Sequence, residues 1–280
     1  MNASTNLAYE QSAQPALQKL GLDTALAHLD SAAQQAAAGD WSYTHFLGYL
    51  LTGEIDERHR RTVALNMQFA RFPYLKRLDG FDFDAQPGID RRLIDELATG
   101  RFLAEGRNIV LLGPPGVGKT HLAIALGVQT AEMGHRVTFT SAIDMARRLA
   151  KAMAENRLHR EINIFKQPKL LIIDEVGYLT LDQTQASLLF QVISSRYDKN
   201  QAMILTSNKA FADWASVFAQ DTVLASAALD RLLHRCTVIN IRGESYRLKD
   251  KRRAAVGGTQ PQGLQAVDTS VTLRLPEAKT

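Results

Sequence analysis

From Pro15 to Phe72 apolar side chains recur every three or four residues, with no β-branched runs, which is the period of amphipathic helices. Leu17, Leu20, Leu22, Leu26 and Leu29 predict one helix. Trp41, Phe46, Leu47, Leu50 and Leu51 predict a second, with Asp40 as its cap. Val63, Ala64, Met67 and Ala70 predict a third, behind the basic run Arg58-His59-Arg60-Arg61. The segment FPYLKRLDGFDFDAQPG then breaks the period with Pro73, Gly80, Pro87 and Gly88, so a linker is expected over 73–88. Between Ile89 and Arg253 short apolar runs alternate with helical stretches. The strand candidates are Asn108–Leu112, Arg136–Thr140, Leu170–Ile173, Ala202–Thr206 and Val238–Ile241. Such alternation predicts an α/β domain over 89–253 with a parallel sheet and right-handed crossovers, behind a small all-α domain over 15–72. Residues 1–14 are expected to be a flexible N-terminus. Residues 254–280, rich in Gly, Thr, Gln and Pro without any period, are expected to be a disordered tail.

Composition narrows the class. Hydrophobic residues make up 45% of the 280 positions and charged residues 22%, which excludes a mostly disordered or collagen-like chain. The longest apolar runs fall far short of the ~18 residues of a membrane span, so no membrane partner is expected. The opening MNASTNLAYEQSAQ lacks a basic and an apolar region, so no signal peptide and a cytoplasmic location are expected. Cys236 is the only cysteine, which rules out an intrachain disulfide and argues against a cysteine metal site.

The net charge of +4 decides little, but its distribution does. Residues 144–169 carry seven basic side chains (Arg147, Arg148, Lys151, Arg157, Arg160, Lys166 and Lys169) against three acidic ones. A second cluster, Arg242, Arg247, Lys249, Lys251, Arg252 and Arg253, follows the last strand candidate. Local basic stripes are the footprint of a polyanion partner, although a solvated helix face would look the same.

The strongest chemical signal is Gly113-Pro114-Pro115-Gly116-Val117-Gly118-Lys119-Thr120, a full G-x-x-x-x-G-K-[ST] match between an apolar strand and a helical run that opens at His121. Glycines let backbone N–H groups turn around phosphate oxygens, and the helix N-terminus adds favourable partial charge. Lys119 can reach the β- and γ-phosphates, and Thr120 can hold Mg²⁺. Leu170-Leu171-Ile172-Ile173-Asp174-Glu175 is a buried-type strand ending in two carboxylates. Parallel strands deliver their C-terminal residues to the ligand edge, where Asp174 suits the Mg²⁺ role and Glu175 the base that activates water. A kinase acting on a small molecule has no need for Glu175, so hydrolysis of ATP is the better reading.

In phosphate-loop ATPases with a catalytic glutamate, a strand is inserted between the phosphate-loop strand and the Asp-Glu strand. The run Ala202–Thr206 fits that place and would carry Asn208 between Lys119 and Glu175, to position water or sense the γ-phosphate. Arg231 and Arg235 lie four apart on one helix face. Either could complete a neighbouring subunit's site, or simply pair with nearby acids.

The stretches GRNIVLLGPPGVGKTHLAIALG, LLIIDEVGYL, ILTSN and LDRLLHRCTVINIRGESYRLKDKR resemble the IstB-type ATP-binding proteins of bacterial insertion sequences, AAA+ ATPases related to the DnaC helicase loaders. The resemblance covers roughly residues 15 to 253. It implies a five-stranded parallel AAA+ core with flanking helices and a reduced or absent lid. It implies a DNA-dependent ATPase that forms homo-oligomers on double-stranded DNA, deforms it, and helps a cognate DDE transposase select its target. A helicase loader of the DnaC type is the alternative. By the same resemblance Gly113 to His121 would bind ATP, Arg231 looks like the finger offered in trans with Arg235 as competitor, and Arg247 looks like the second sensor arginine. Arg147, Arg148, Lys151, Arg157 and Arg160 would contact DNA.

Overall fold

The computed structural model describes residues 12–243, 245 and 246. After a helical stretch over 12–19 come two long helices, α1 (Asp23–Ala38) and α2 (Tyr43–Ala70), followed by the short helices α3 (Arg91–Ala98) and α4 (Arg101–Glu105). The core then alternates: β1 (Asn108–Leu112), α5 (Lys119–Glu132), β2 (Val137–Ser141), α6 (Ala142–Ala154), α7 (Leu158–Lys166), β3 (Leu170–Val176), α8 (Gln183–Asp198), β4 (Met203–Ser207), a 3₁₀ turn (Phe211–Ser216), α9 (Thr222–Leu233) and β5 (Cys236–Asn240).

All four strand pairings are parallel, and the sheet order is β2-β3-β4-β1-β5. β4 therefore lies between the phosphate-loop strand β1 and the Asp-Glu strand β3. Both faces of the sheet are covered by helices, which is why β3 reads as a continuous apolar run rather than an alternating one: Leu170 to Ile173 are fully buried. One apolar cluster joins α6, α8 and α9 to the sheet around Met145, Val192 and Leu232. The other joins α3, α4 and α5 around Ile94, Phe102 and Leu122.

Three helix expectations change. The first predicted helix is broken at 20–22, where Gly21 takes φ +64, so Leu17 lies before the break and Leu26 and Leu29 lie after it on α1. The second and third predicted helices are one 28-residue helix, α2, capped by Ser42, whose side chain accepts from the His45 N–H. Asp40 sits instead in the preceding turn at φ +49. The basic run stays helical because its charges are paired along the helix: Arg58 with Glu54, and Arg60 and Arg61 with Glu57. The N-terminus of α1 has no cap of its own. Glu54, buried on α2, accepts from the Thr24 and Ala25 N–H groups at 2.8 and 3.1 Å, and Arg58 bridges back to the Gly21 carbonyl at 2.7 Å. The far end of α2 packs on the α/β core through Met67, Ala70 and the following Phe72.

The segment 73–88 forms no regular helix or strand, yet Phe81 and Gln86 are buried in it. Among the described residues no helix is long and apolar enough to cross a membrane.

Candidate active site

β1 ends in the loop Gly113–Gly118, and α5 begins at Lys119. Gly113, Gly116 and Gly118 have φ of 150°, 82° and 101°, values that L side chains rarely adopt. A Cβ at Gly113 would lie 2.4 Å from the Ile241 carbonyl oxygen, and one at Gly118 2.6 Å from the Phe81 ring. The loop is thus a cradle of backbone at the N-terminus of α5. Val117 anchors it in the core, while Pro114 and Pro115 are exposed at its tip. The Lys119 ammonium folds onto the loop, donating to the Gly113 and Pro114 carbonyls at 2.7 and 2.8 Å.

Thr120 Oγ1 donates to the Asp174 carboxylate, 3.0 Å from Oδ1 and 3.2 Å from Oδ2. Asp174 is buried and Glu175 exposed, so consecutive residues at the end of β3 face inward and outward. A hydroxyl and a carboxylate side by side form the hard-oxygen donor set that suits Mg²⁺. A lysine above a backbone cradle suits a triphosphate.

A cavity of about 330 Å³ opens from this cradle, lined by Lys119, Thr120, His121, Phe81, Gln86 and Tyr246. One of its walls comes from the segment expected to be only a linker. Phe81 meets the His121 ring edge-on at 5.1 Å. His121 Nε2 lies 3.0 Å from the Arg77 carbonyl, which it can reach as an N–H donor. Burial pulls the His121 pKa below its ordinary value; the Arg77 carbonyl opposes this and the charge of Lys76 adds to it. The aromatic pair FDF between Gly80 and Pro87 was the available signal for this wall.

Asn208 stands one residue beyond β4, exposed, and its side chain makes no hydrogen bond among the described residues. The polar group of β4 that does reach the acidic pair is Thr206, which sequence reasoning passed over. Its hydroxyl donates to Asp174 Oδ1 at 2.5 Å and accepts from the Glu175 N–H at 2.9 Å.

Arg231 and Arg235 lie at the other end of the sheet. The Asn108 N–H, at the start of β1, donates to the Arg235 carbonyl at 2.7 Å. The phosphate loop is at the far end of that strand, roughly 16 Å away at ~3.3 Å per residue. Both arginines line a cavity of about 380 Å³ with Asn108, Asn200 and His234. Arg231 lies over the Phe190 ring at 5.0 Å and donates to the Ala227 carbonyl at 3.1 Å; Arg235 donates to Asn200 Oδ1 at 2.8 Å. Neither forms an ion pair among the described residues. Arg247, Lys249, Lys251, Arg252, Arg253 and residues 254–280 lie outside the described residues, as do residues 1–11.

The basic stripe divides. Arg148 is bonded to Glu161 at 2.6 Å and covers the Phe165 ring at 4.8 Å, so it clamps α6 to α7. Arg157 is paired with Glu155. Arg147, Lys151 and Arg160 are exposed and make no ion pair among the described residues. The stripe is therefore not uniform: among the described residues Arg148 is engaged in a contact within the fold, whereas Arg147, Lys151 and Arg160 are not.

Strand order, phosphate loop and acidic pair together define an ATP-binding protein of the AAA+ class. A crystallised DNA replication initiation factor shares the fold at a TM-score of 0.51 and 22% identity, over 65% of this chain and 56% of that one. The IstB-like ATP binding protein family matches residues 15–254, and the chain belongs to that family. Its relatives include the insertion sequence IS21 ATP-binding protein of Pseudomonas aeruginosa, 48% identical over 86% of this chain and 90% of that one. The IS5376 counterpart of Geobacillus stearothermophilus is 46% identical over 79% of this chain and 87% of its own length.

Proposed function

We propose that this protein is an ATP-hydrolysing transposition helper that assembles on duplex DNA as a homo-oligomer, deforms it, and assists a DDE transposase in choosing its target. One observation carries the reading: the two parts of a hydrolytic site stand at opposite edges of one sheet. Lys119, Thr120, Asp174 and Glu175 are at one edge, and the acid-free arginines Arg231 and Arg235 are at the other. Neither arginine can serve its own phosphate loop at that separation. Head-to-tail association brings one subunit's arginines to the next subunit's loop, the kind of contact that generates rings or filaments.

On ATP binding Lys119 leaves the Gly113 and Pro114 carbonyls for the β- and γ-phosphates. Glu175 accepts the proton of the attacking water, and an arginine from the neighbour, Arg231 first and Arg235 as competitor, meets the charge that develops on the phosphoryl oxygens. Thr120 and Asp174 would hold Mg²⁺, which would neutralise phosphate charge. Asn208, exposed at the end of β4, is free to turn toward the γ-phosphate. Arg147, Lys151 and Arg160 supply the duplex contacts. The association of the relatives with insertion sequences supports a transposase as the partner.

The test is sedimentation with a blunt duplex, in ATP·Mg²⁺ and in ADP, with hydrolysis followed in parallel. Oligomers that form only with duplex and ATP, together with faster hydrolysis, support the proposal. Monomers throughout, or stimulation by single-stranded DNA alone, would overturn it.

A further inference from the structure

The pairing of β3 with β4 breaks at the acidic pair. Ile173 pairs with Leu205 and Val176 with Ser207, so Asp174 and Glu175 together face the single residue Thr206. This is a β-bulge, a device that re-aims a side chain and leaves the extra residue outside the ladder. Glu175 adopts φ +59, a left-handed conformation uncommon for a residue with a side chain, which persists only where the surroundings impose it. Two contacts hold it here: the Tyr178 N–H donates to the Glu175 carbonyl at 3.2 Å, and one hydroxyl takes the Glu175 N–H. Thr206 Oγ1 accepts the Glu175 N–H that the ladder leaves over and spends its own proton on Asp174 Oδ1. Thr206 is 1% exposed, so water has little access to replace it.

We infer that Thr206 is the positioning residue of the hydrolytic centre. Its hydroxyl holds the Glu175 backbone in the bulge that turns the glutamate outward to the sheet edge. It also orients Asp174 from the β4 side while Thr120 bonds the same carboxylate from the phosphate-loop side. Thr206 lies behind both acids and acts only through them. The inference rests on Glu175 as the base that activates water.

Thr206→Val keeps the shape and removes the hydroxyl; Thr206→Ser keeps the hydroxyl. In the full chain Thr206→Val should lose about 10- to 100-fold in kcat, the usual effect of removing a group that orients ligands. ATP affinity should stay within about threefold, because the phosphate cradle is untouched, and Thr206→Ser should restore most of kcat. In the nucleotide-free protein the Glu175 amide should exchange hydrogen faster in Thr206→Val than in wild type or Thr206→Ser. Thr206→Ala serves in the same comparison if the valine variant does not fold. Wild-type kcat in the variant lacking the hydroxyl, equal losses in the serine variant, or an unchanged Glu175 exchange rate would each overturn the assignment. A wild type that hydrolyses no ATP defeats the proposed function instead, and the exchange comparison still decides the role of Thr206.

Discussion

Thr120 Oγ1 and Asp174 Oδ1 stand 3.0 Å apart, joining the first turn of α5 to the end of β3 across 54 residues of chain. The contact is possible because β4 lies between β1 and β3 and every strand runs the same way, so the phosphate loop and the acidic pair arrive at one edge. From this arrangement the consequences of single substitutions can be worked out.

Lys119→Ala removes the ammonium that lies on the phosphate loop itself and should abolish ATP binding in a calorimetric titration. Glu175→Gln should bind ATP as wild type does, because Glu175 makes no contact with the cradle. An amide accepts no proton from water, so its kcat should fall by about 10² to 10⁴. Turnover at the wild-type rate would remove Glu175 as the base.

Duplex binding should depend steeply on salt and weakly on sequence. Neutralising two of Arg147, Lys151 and Arg160 should lower the slope of log K against log salt by roughly two units, at about 0.9 per phosphate contact. Arg148→Ala should leave that slope unchanged and lower the melting temperature, since Arg148 ties α6 to α7. The opposite pattern would move the DNA surface elsewhere.

Arg196 is fully buried on α8 without an acidic partner among the described residues, and burial brings its pKa down to about 9. It donates to four carbonyls, those of Phe165, Pro168, Lys169 and Ala202, pinning the turns that lead into β3 and β4. Arg196→Met strands those acceptors, and urea unfolding should show a loss of about 3 kcal/mol or more. A loss within experimental error would mean that the turns hold without it.

Glu54 gives the helical pair a pH dependence. Burial pushes its carboxyl up, but the Ala25 N–H, Arg58 and the Thr24 N–H outweigh that and hold its pKa below the ordinary 4.5. A depressed carboxylate adds stability that is present above its unfolded value and lost as pH falls through the folded one. Glu54→Gln should therefore melt below wild type at pH 7, and the gap should close as pH drops below about 4. A gap independent of pH would show that charge plays no part in the cap.

What could be read in the sequence was what depends on local pattern. The phosphate loop announces itself through spacing, and β3 through its apolar run and terminal acids; their common edge follows from strand direction. Contacts that depend on tertiary approach were not legible. Arg148 and Arg147 are adjacent and alike in sequence, and only the return of Glu161 thirteen residues later separates a clamp from an exposed cation. Arg196 reads as a polar helix end until the turns at Phe165 and Ala202 converge on it. Asn208 drew attention because it ends a strand, whereas the break in register gives the contact with both acids to Thr206. Phe81 sits among glycines, aspartates and prolines that read as linker, and its burial depends on the phosphate loop it covers.

The shared site is tested most directly by mixing two defective variants. Arg231→Ala keeps a complete phosphate loop and acidic pair but offers its neighbour no finger; Glu175→Gln offers a finger but activates no water. Each alone should be nearly inactive on duplex DNA. Mixed in equal amounts, some interfaces pair an intact acidic pair with an intact arginine, and since a finger contributes up to ~10³-fold or more in rate, ATPase activity should return measurably. A mixture that assembles on DNA yet stays as inactive as its components would contradict a site completed in trans by Arg231.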